Sequence, residues 1–183
     1  MEKFSVADGG SRELAGAIGR SQFMEIAAAE VARARRYRNP LSCLVIDVDC
    51  FESAGGTRHQ ADGLVLQHFV TVCRATLRAP DYIGRIGSEK FAIMLPETPL
   101  LNALGVAERI LADLAASTAD ASKQHLAASM SIGVVEYADQ NSSLGQLLEA
   151  ADAAMADAKI NGRNQAVCYL DDLQISSVAA IVN

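Results

Sequence analysis

The sequence predicts an α/β (α+β) fold in which a mixed central sheet of about five strands, one hairpin included, is surrounded by helices. Three observations support this prediction. Apolar residues recur at helical spacing in some segments and in short continuous runs in others, and the two kinds of segment alternate. Two short apolar runs are separated by only four residues, which is typical of a hairpin. Half of the 183 residues are hydrophobic, which is enough to bury a sizeable core.

The first half of the chain has the predicted order α-β-α-β-β. The first helix carries an apolar stripe and ends before Pro40, and the continuous apolar run after it has the length and branching of a buried strand. A second helical pattern ends before Pro80, and the hairpin that follows has its turn near Gly87. These elements span, in order, residues 22–37, 41–47, 66–78, 82–86 and 91–95.

The second half continues with the order α-β-α-β. A helix begins after Pro99 and is followed by a strand. The next helix is capped by Ser142 or Ser143 and ended by Gly162. Residues 165–170 form the last predicted strand.

We expect one domain, residues 12–170, with a short segment at either end. Residues 1–11 are polar and contain glycine, which is typical of a flexible lead-in. For the C-terminal tail, residues 171–183, a frayed end is favoured over an apolar handle for a partner. No apolar run approaches the roughly 18 residues of a membrane span, and the N-terminus has no signal-peptide core. We therefore expect a cytoplasmic protein without a membrane span.

The charge restricts the possible binding partners, and the cysteine content indicates the redox compartment. The chain has 16 Lys and Arg against 22 Asp and Glu, a formal charge of −6, and such an acidic balance disfavours binding to a nucleic acid polymer. It leaves open a small anionic ligand held by a few arginines. None of the four cysteines lies in a CxxC pair and three lie in apolar segments, which predicts small core residues in a reducing compartment.

Several ordered motifs identify a family resemblance. The hairpin sequence RIGSEKF resembles the R-x-G-G-D-E-F signature of bacterial GGDEF domains, and PLSCLVIDVDCF, RHQADGLVL, SIGVV and ADAAMADAKINGRNQ resemble further blocks of that family in the right order. The resemblance covers residues 12–170 and implies the nucleotidyl-cyclase fold. Active members are diguanylate cyclases, in which a dimer condenses two GTP molecules to cyclic di-GMP with Mg²⁺ or Mn²⁺.

The resemblance also implies a cyclase site. Asp47 and Glu89 match metal-ligand positions, and oxygen ligands are what Mg²⁺ requires. Lys159 and Arg163 match basic positions associated with phosphate, so that Glu89, Lys159 and Arg163 form a vestigial catalytic set. We expect Arg85 to serve the hairpin's own hydrogen bonding. The signature residues are Gly87, Ser88, Glu89, Lys90 and Phe91.

Several positions depart from the family pattern. Ser88 replaces a glycine of a kind that often needs positive φ, and Lys90 replaces a glutamate, where its ammonium would compete with a metal for Glu89. The loop that should supply a guanine-binding Asn has none, and the family's Gly-Asp pair is reversed to Asp62-Gly63. We therefore expect little or no cyclase activity, and at most weak binding of GTP with Mg or Mn at this site.

A second site lies at Arg78-Ala79-Pro80-Asp81, which matches the R-x-x-D product-binding motif of the family, and Arg109 matches a further arginine of that site. A guanidinium can donate two hydrogen bonds to guanine or phosphate, and a carboxylate can accept from guanine N1–H and N2–H. We expect Arg78→Ala or Asp81→Ala to abolish binding without changing folding.

The sequence therefore favours a degenerate GGDEF domain that acts as a cyclic di-GMP receptor through Arg78, Asp81 and Arg109, with no cofactor required for binding. The signal would pass to a second copy in a homodimer or to a partner protein. One alternative is an active, product-inhibited diguanylate cyclase. The other is an interaction scaffold that binds no nucleotide.

Overall fold

The computed structural model describes residues 14–49, 63–119, 128–137, 143–170 and 173–175. Its element order confirms the predicted mixed α/β fold, with one strand more than expected. None of the helices in these ranges is long and apolar enough to cross a membrane. The elements are α1 (Arg20–Tyr37), β1 (Leu41–Asp49), α2 (Gly63–Thr76), β2 (Tyr82–Arg85), β3 (Lys90–Pro96), α3 (Leu100–Ser117), β4 (Ser129–Glu136), α4 (Leu144–Ile160), β5 (Gln165–Leu170) and β6 (Leu173–Ile175).

The strands form one sheet in the order β2-β3-β1-β4-β5-β6. β1 lies near its centre and pairs antiparallel with both β3 and β4, whereas β4 and β5 pair in parallel. β6 pairs antiparallel with β5, so the expectation of a frayed tail is wrong for Leu173–Ile175. The segments 1–13 and 176–183, on which the lead-in and most of the tail were predicted, lie outside the described residues.

Helices cover both faces of the sheet because the side chains of β1 alternate between two cores. Leu44, Ile46 and Val48 pack with residues of α2 and α3, and Cys43 and Val45 pack with residues of α1 and α4. The odd-numbered positions of β1 therefore face α1 and α4. The two aspartates at the end of β1 continue that odd-numbered set.

Two details determine where α4 begins and how closely it packs on this face. Ser143 accepts a hydrogen bond from the Gln146 amide while the Gln146 side chain accepts from the Ser143 amide, a reciprocal capping box that confirms one of the two predicted caps. Below the helix, a Cβ added to Gly133 of β4 would come to 1.9 Å from the Ala151 carbonyl oxygen. Glycine at this position allows the backbones of α4 and β4 to approach closely, which sets where the polar end of α4 lies.

Candidate functional site

A cluster of opposite charges lies where the end of β1 meets the end of α4. Lys159 Nζ lies 2.6 Å from Asp47 Oδ2 and 3.6 Å from Asp49 Oδ1. Arg163 Nε lies 3.7 Å from Asp49 Oδ1, and Ser131 donates to Asp49 Oδ2 at 3.3 Å. The structure thus brings Asp47, Lys159 and Arg163 together. Asp49 was missed, although the Asp-x-Asp spacing on a strand places both side chains on one face.

A left-handed turn brings Arg163 into this cluster. Gly162, Arg163 and Asn164 have φ values of 112°, 63° and 47°, and the Arg163 amide donates to the Ala158 carbonyl at 2.9 Å. Gly162 follows the end of α4, as the sequence predicts. Non-glycine residues rarely adopt this conformation, and such residues are concentrated at functional sites. The turn directs the Arg163 side chain back toward β1.

The Lys159 ammonium is stabilised in its charged form. Burial alone would lower the pKa of Lys159, but the hydrogen bond and the charge of Asp47, with those of Asp49, outweigh it and raise the pKa above its ordinary value. Lys159 is therefore protonated at neutral pH. The carboxylates of Asp47 and Asp49 face two permanent cations.

The charge-reversed residue of the signature forms its own ion pair. Lys90 Nζ lies 2.6 Å from Asp152 Oδ1 on α4. The expectation that this ammonium competes for Glu89 is therefore wrong. Lys90 begins β3 and shares the α4 face with Ala92 and Met94. Glu89 contributes its backbone carbonyl, which accepts from the Val48 amide at 3.0 Å.

The turn of the signature hairpin is unstrained. Ser88 is not among the non-glycine residues with positive φ in the described ranges, so the strain considered from the sequence does not arise. Arg85 donates to the Gly87 carbonyl at 3.2 Å and to the Ser88 carbonyl, which confirms its structural role. Phe91 is fully buried, and its ring centroid lies 4.9 Å from that of Phe69.

Among the described residues, the carboxylates around Asp47 do not form a group of three metal ligands. Hard cations take several oxygen ligands. In the part of the chain that the structure describes, no three His, Cys, Asp or Glu residues are grouped to hold a metal. Asp47 and Asp49 are instead engaged by cations, and Glu89 does not complete a set with them. The predicted guanine loop and Asp62 lie outside the described residues.

The R-x-x-D segment forms a closed turn after α2. The Asp81 amide donates to the Arg78 carbonyl at 3.0 Å, and the Arg78 amide donates to Asp81 Oδ2 at 2.8 Å. Arg78 Nε lies 3.7 Å from the same oxygen, and Arg78 Nη2 donates to Thr98 Oγ1 at 2.7 Å. The side chain of Arg78 is 59% exposed, whereas that of Asp81 is 1% exposed.

The burial of Asp81 has two consequences. Its second oxygen, Oδ1, is buried and has no hydrogen-bond partner among the described residues. The expectation that Asp81→Ala leaves folding unchanged is also revised, because a buried carboxylate that accepts a backbone hydrogen bond contributes to the stability of the turn. Arg78, which is exposed, remains the cleaner position for a test.

Arg109 lies on the helix next to this turn. It is exposed on α3, one helical turn before Asp113, and Asp113 Oδ2 accepts from Thr76 Oγ1 at 2.9 Å. Because residues four apart share a helix face, Arg109 lies on the side of α3 that meets the end of α2. The structure brings Arg78 and Asp81 into contact and places Arg109 on the neighbouring helix.

Comparisons with known proteins agree with this fold. The family model described as "Diguanylate cyclase, GGDEF domain" matches residues 13–165. The response regulator PleD of Caulobacter vibrioides is 35% identical over 140 residues, which are 75% of this chain and 31% of that protein. The crystal structure of diguanylate cyclase SiaD with its activator SiaC, from Pseudomonas aeruginosa, has a TM-score of 0.75 at 29% identity and covers 86% of this chain and 61% of that one.

A second similar structure is of a microbial GGDEF domain and its interaction with bis-(3′,5′)-cyclic di-GMP. It has a TM-score of 0.70 at 25% identity and covers 85% of this chain and 96% of that one. The present chain spans about a third to a half of the length of the curated relatives it matches. With a family model that matches most of its length and a fold shared with solved members, the chain belongs to the GGDEF-domain family of diguanylate cyclases.

Proposed function

We propose that this chain is a degenerate GGDEF domain, with the signature GSEKF, that binds cyclic di-GMP through Arg78, Asp81 and Arg109 and has little or no cyclase activity. One observation carries the proposal. Asp81 Oδ1 is buried and has no hydrogen-bond partner among the described residues, and the exposed Arg78 side chain lies in the same turn. A buried acceptor without a donor is costly. A ligand that supplies the donor removes that cost.

The two groups complement guanine. Guanine offers O6 and N7 as acceptors to a guanidinium, and N1–H and N2–H as donors to a carboxylate. In the present conformation the Arg78 side chain runs beside the Asp81 carboxylate and donates to Thr98. Binding requires Arg78 to leave Thr98 and turn to the ligand, and it also requires the buried Asp81 carboxylate to become accessible. Arg109 supplies a second cation for a ligand phosphate.

The relatives support the ligand class and the mode of signalling. A GGDEF domain of the same fold interacts with cyclic di-GMP, and the similar cyclase SiaD binds an activator protein. We extend both properties to this chain, in which ligand bound at the R-x-x-D turn would change pairing in a homodimer or with a partner protein. We also propose that the protein acts in the cytoplasm, since the proposed ligand is made from GTP.

The former cyclase site supports a non-catalytic function. Cyclases of this family normally use Mg²⁺ or Mn²⁺, whereas here the acidic fourth position of the signature is Lys90, whose ammonium pairs with Asp152. Loss of two hydrogen bonds to guanine costs about 2–6 kcal/mol at about 1–3 kcal/mol each. That loss reduces turnover by roughly two to four orders of magnitude. GTP would bind this site weakly.

Calorimetric titration with cyclic di-GMP tests the proposal. We expect micromolar or tighter binding by the parent, at least about 30-fold weaker binding by Arg78→Ala, and an intermediate loss for Arg78→Lys, which keeps the charge without the planar fork. Because Arg78 also donates to Thr98 and lies beside the buried Asp81 carboxylate, the unfolding midpoint of each variant is measured as well, and binding is compared only between variants that are folded. Equal binding by the parent and Arg78→Ala would show that the site is wrong.

Incubation with GTP and Mn²⁺, followed by chromatography for cyclic di-GMP, separates the remaining alternatives. Product formation by a chain that binds cyclic di-GMP identifies a product-inhibited cyclase and overturns the non-catalytic assignment. A chain that forms no product and binds neither nucleotide at high micromolar concentration is an interaction scaffold.

A further inference from the structure

Lys90 occupies the place next to Asp47 on the sheet. The two residues are register partners on β3 and β1, and both side chains face α4. On α4, Asp152 and Lys159 are about two turns apart and therefore lie on the same side of the helix. Two ion pairs, Lys90–Asp152 and Lys159–Asp47, thus join the sheet to the helix. The cation of the first pair is on the sheet, and the cation of the second is on the helix.

This arrangement is electrically balanced without a metal. The cations Lys90, Lys159 and Arg163 stand against three carboxylates, and each of the carboxylates lies within 3.7 Å of one of these cations. The family's acidic residue at position 90 would make the cluster two charges more negative. A divalent cation entering here would have to approach the charge of Lys90, which is unfavourable.

A cavity adjoins the substituted residue. Its volume is about 50 Å³, and it is lined by Lys90, Asp152 and Arg20 together with apolar side chains of α1, β1, α4 and the connection between β2 and β3. The side chain of Lys90 is one-third exposed and ends a flexible four-carbon stem. The ammonium can therefore turn from Asp152 toward an anion on the α4 face.

We propose that this face is a metal-independent site for the phosphate groups of a nucleoside triphosphate, in which Lys90 takes the place of the divalent cation. Lys159 and Arg163 hold the phosphates, and Asp152 keeps Lys90 in position when no ligand is bound. The substitution thus changes which ligand state the site accepts, from a metal–nucleotide complex to the free nucleotide. This inference is independent of the cyclic di-GMP site.

The test is calorimetric titration of the full chain with GTP, once in EDTA and once in excess Mg²⁺. We expect binding in EDTA to be at least as tight as in Mg²⁺. Lys90→Met should weaken binding in EDTA about tenfold or more, and Lys90→Glu should weaken it further while making binding depend on Mg²⁺. Arg36→Met, the same loss of charge at an exposed position at the end of α1, should leave both titrations unchanged.

Two additions keep the test decisive. The double variant Lys90→Glu with Asp152→Lys restores an ion pair of reversed sense, so a Mg²⁺ requirement in this variant, with parental thermal unfolding, excludes misfolding as the cause. Inorganic tripolyphosphate that competes with GTP assigns the affinity to the phosphates, and failure to compete overturns that assignment. The proposal is refuted if the parent binds GTP only in Mg²⁺, or if it does not bind GTP. It is also refuted if Lys90→Met binds GTP in EDTA as tightly as the parent does. Cyclic di-GMP binding is measured separately, so neither result decides the other.

Discussion

The close packing of α4 on β4 allows a stability change to be worked out from the structure. In Gly133→Ala the added Cβ would lie 1.9 Å from the Ala151 carbonyl oxygen and 2.3 Å from the Met155 amide nitrogen, where ordinary contacts are 3.4–4 Å. Both atoms belong to the helix backbone, so no side-chain rotation relieves the overlap and α4 must move outward by more than about 1 Å. Overpacking typically costs about 1–3 kcal/mol, occasionally more. We expect a loss of about 3 kcal/mol or more in the free energy of unfolding.

Urea denaturation followed by far-ultraviolet circular dichroism measures this loss. With a slope of about 2–3 kcal/mol/M, the midpoint should fall by about 1 M or more. Gly105→Ala is the matched control, because Gly105 lies inside α3 and an added Cβ meets no atom within 4 Å. It should stabilise the protein by about 0.5–1 kcal/mol. A loss below about 1 kcal/mol for Gly133→Ala, or the same sign of change in both variants, would refute the packing argument.

Two further changes of stability are expected. Ser143→Ala removes the reciprocal cap of α4 and should cost about 1 kcal/mol in the same titration, so an unchanged midpoint would contradict the cap. Burial raises the pKa of Cys43 to about 12, whereas an unfolded thiol ionises near about 8.5. Its contribution to stability is therefore complete below about pH 8.5 and decreases as the pH rises toward 12. Urea titrations from pH 7 to 10.5 should show a steeper alkaline decline for the parent than for Cys43→Val, and parallel declines would contradict this assignment.

Most of the fold could be predicted because each buried face leaves a periodic trace in the sequence. The inner face of α4 repeats Leu147, Leu148, Ala151 and Met155 at helical spacing, and all four are buried. β1 appears as an unbroken apolar run because both of its faces are covered. β6 leaves no such trace, since a three-residue strand is too short to show a period, and its pairing depends on β5.

The candidate sites were only partly accessible from the sequence. Ordered motifs located Asp47, Lys159 and Arg163, and the structure brings them together. The partner of Lys90 could not be predicted, because Asp152 lies 62 residues away and the contact exists only once α4 packs on the sheet. The burial of Asp81 was missed for a related reason: Arg-Ala-Pro-Asp has the composition of an exposed turn, and only the tertiary contacts cover the carboxylate.

The exposure of the Lys90–Asp152 ion pair helps to decide whether the pair stabilises the fold or serves ligand binding. The two side chains are 34% and 44% exposed, and a pair so open to water contributes at most about 1 kcal/mol to stability. Lys90→Met should therefore change the free energy of unfolding by less than about 1 kcal/mol while it weakens GTP binding in EDTA. A larger loss of stability with unchanged binding would assign the pair to the fold. The proposed pattern, small in stability and large in binding, would mean that Lys90 changes what the site accepts and leaves the structure of the sheet unaltered.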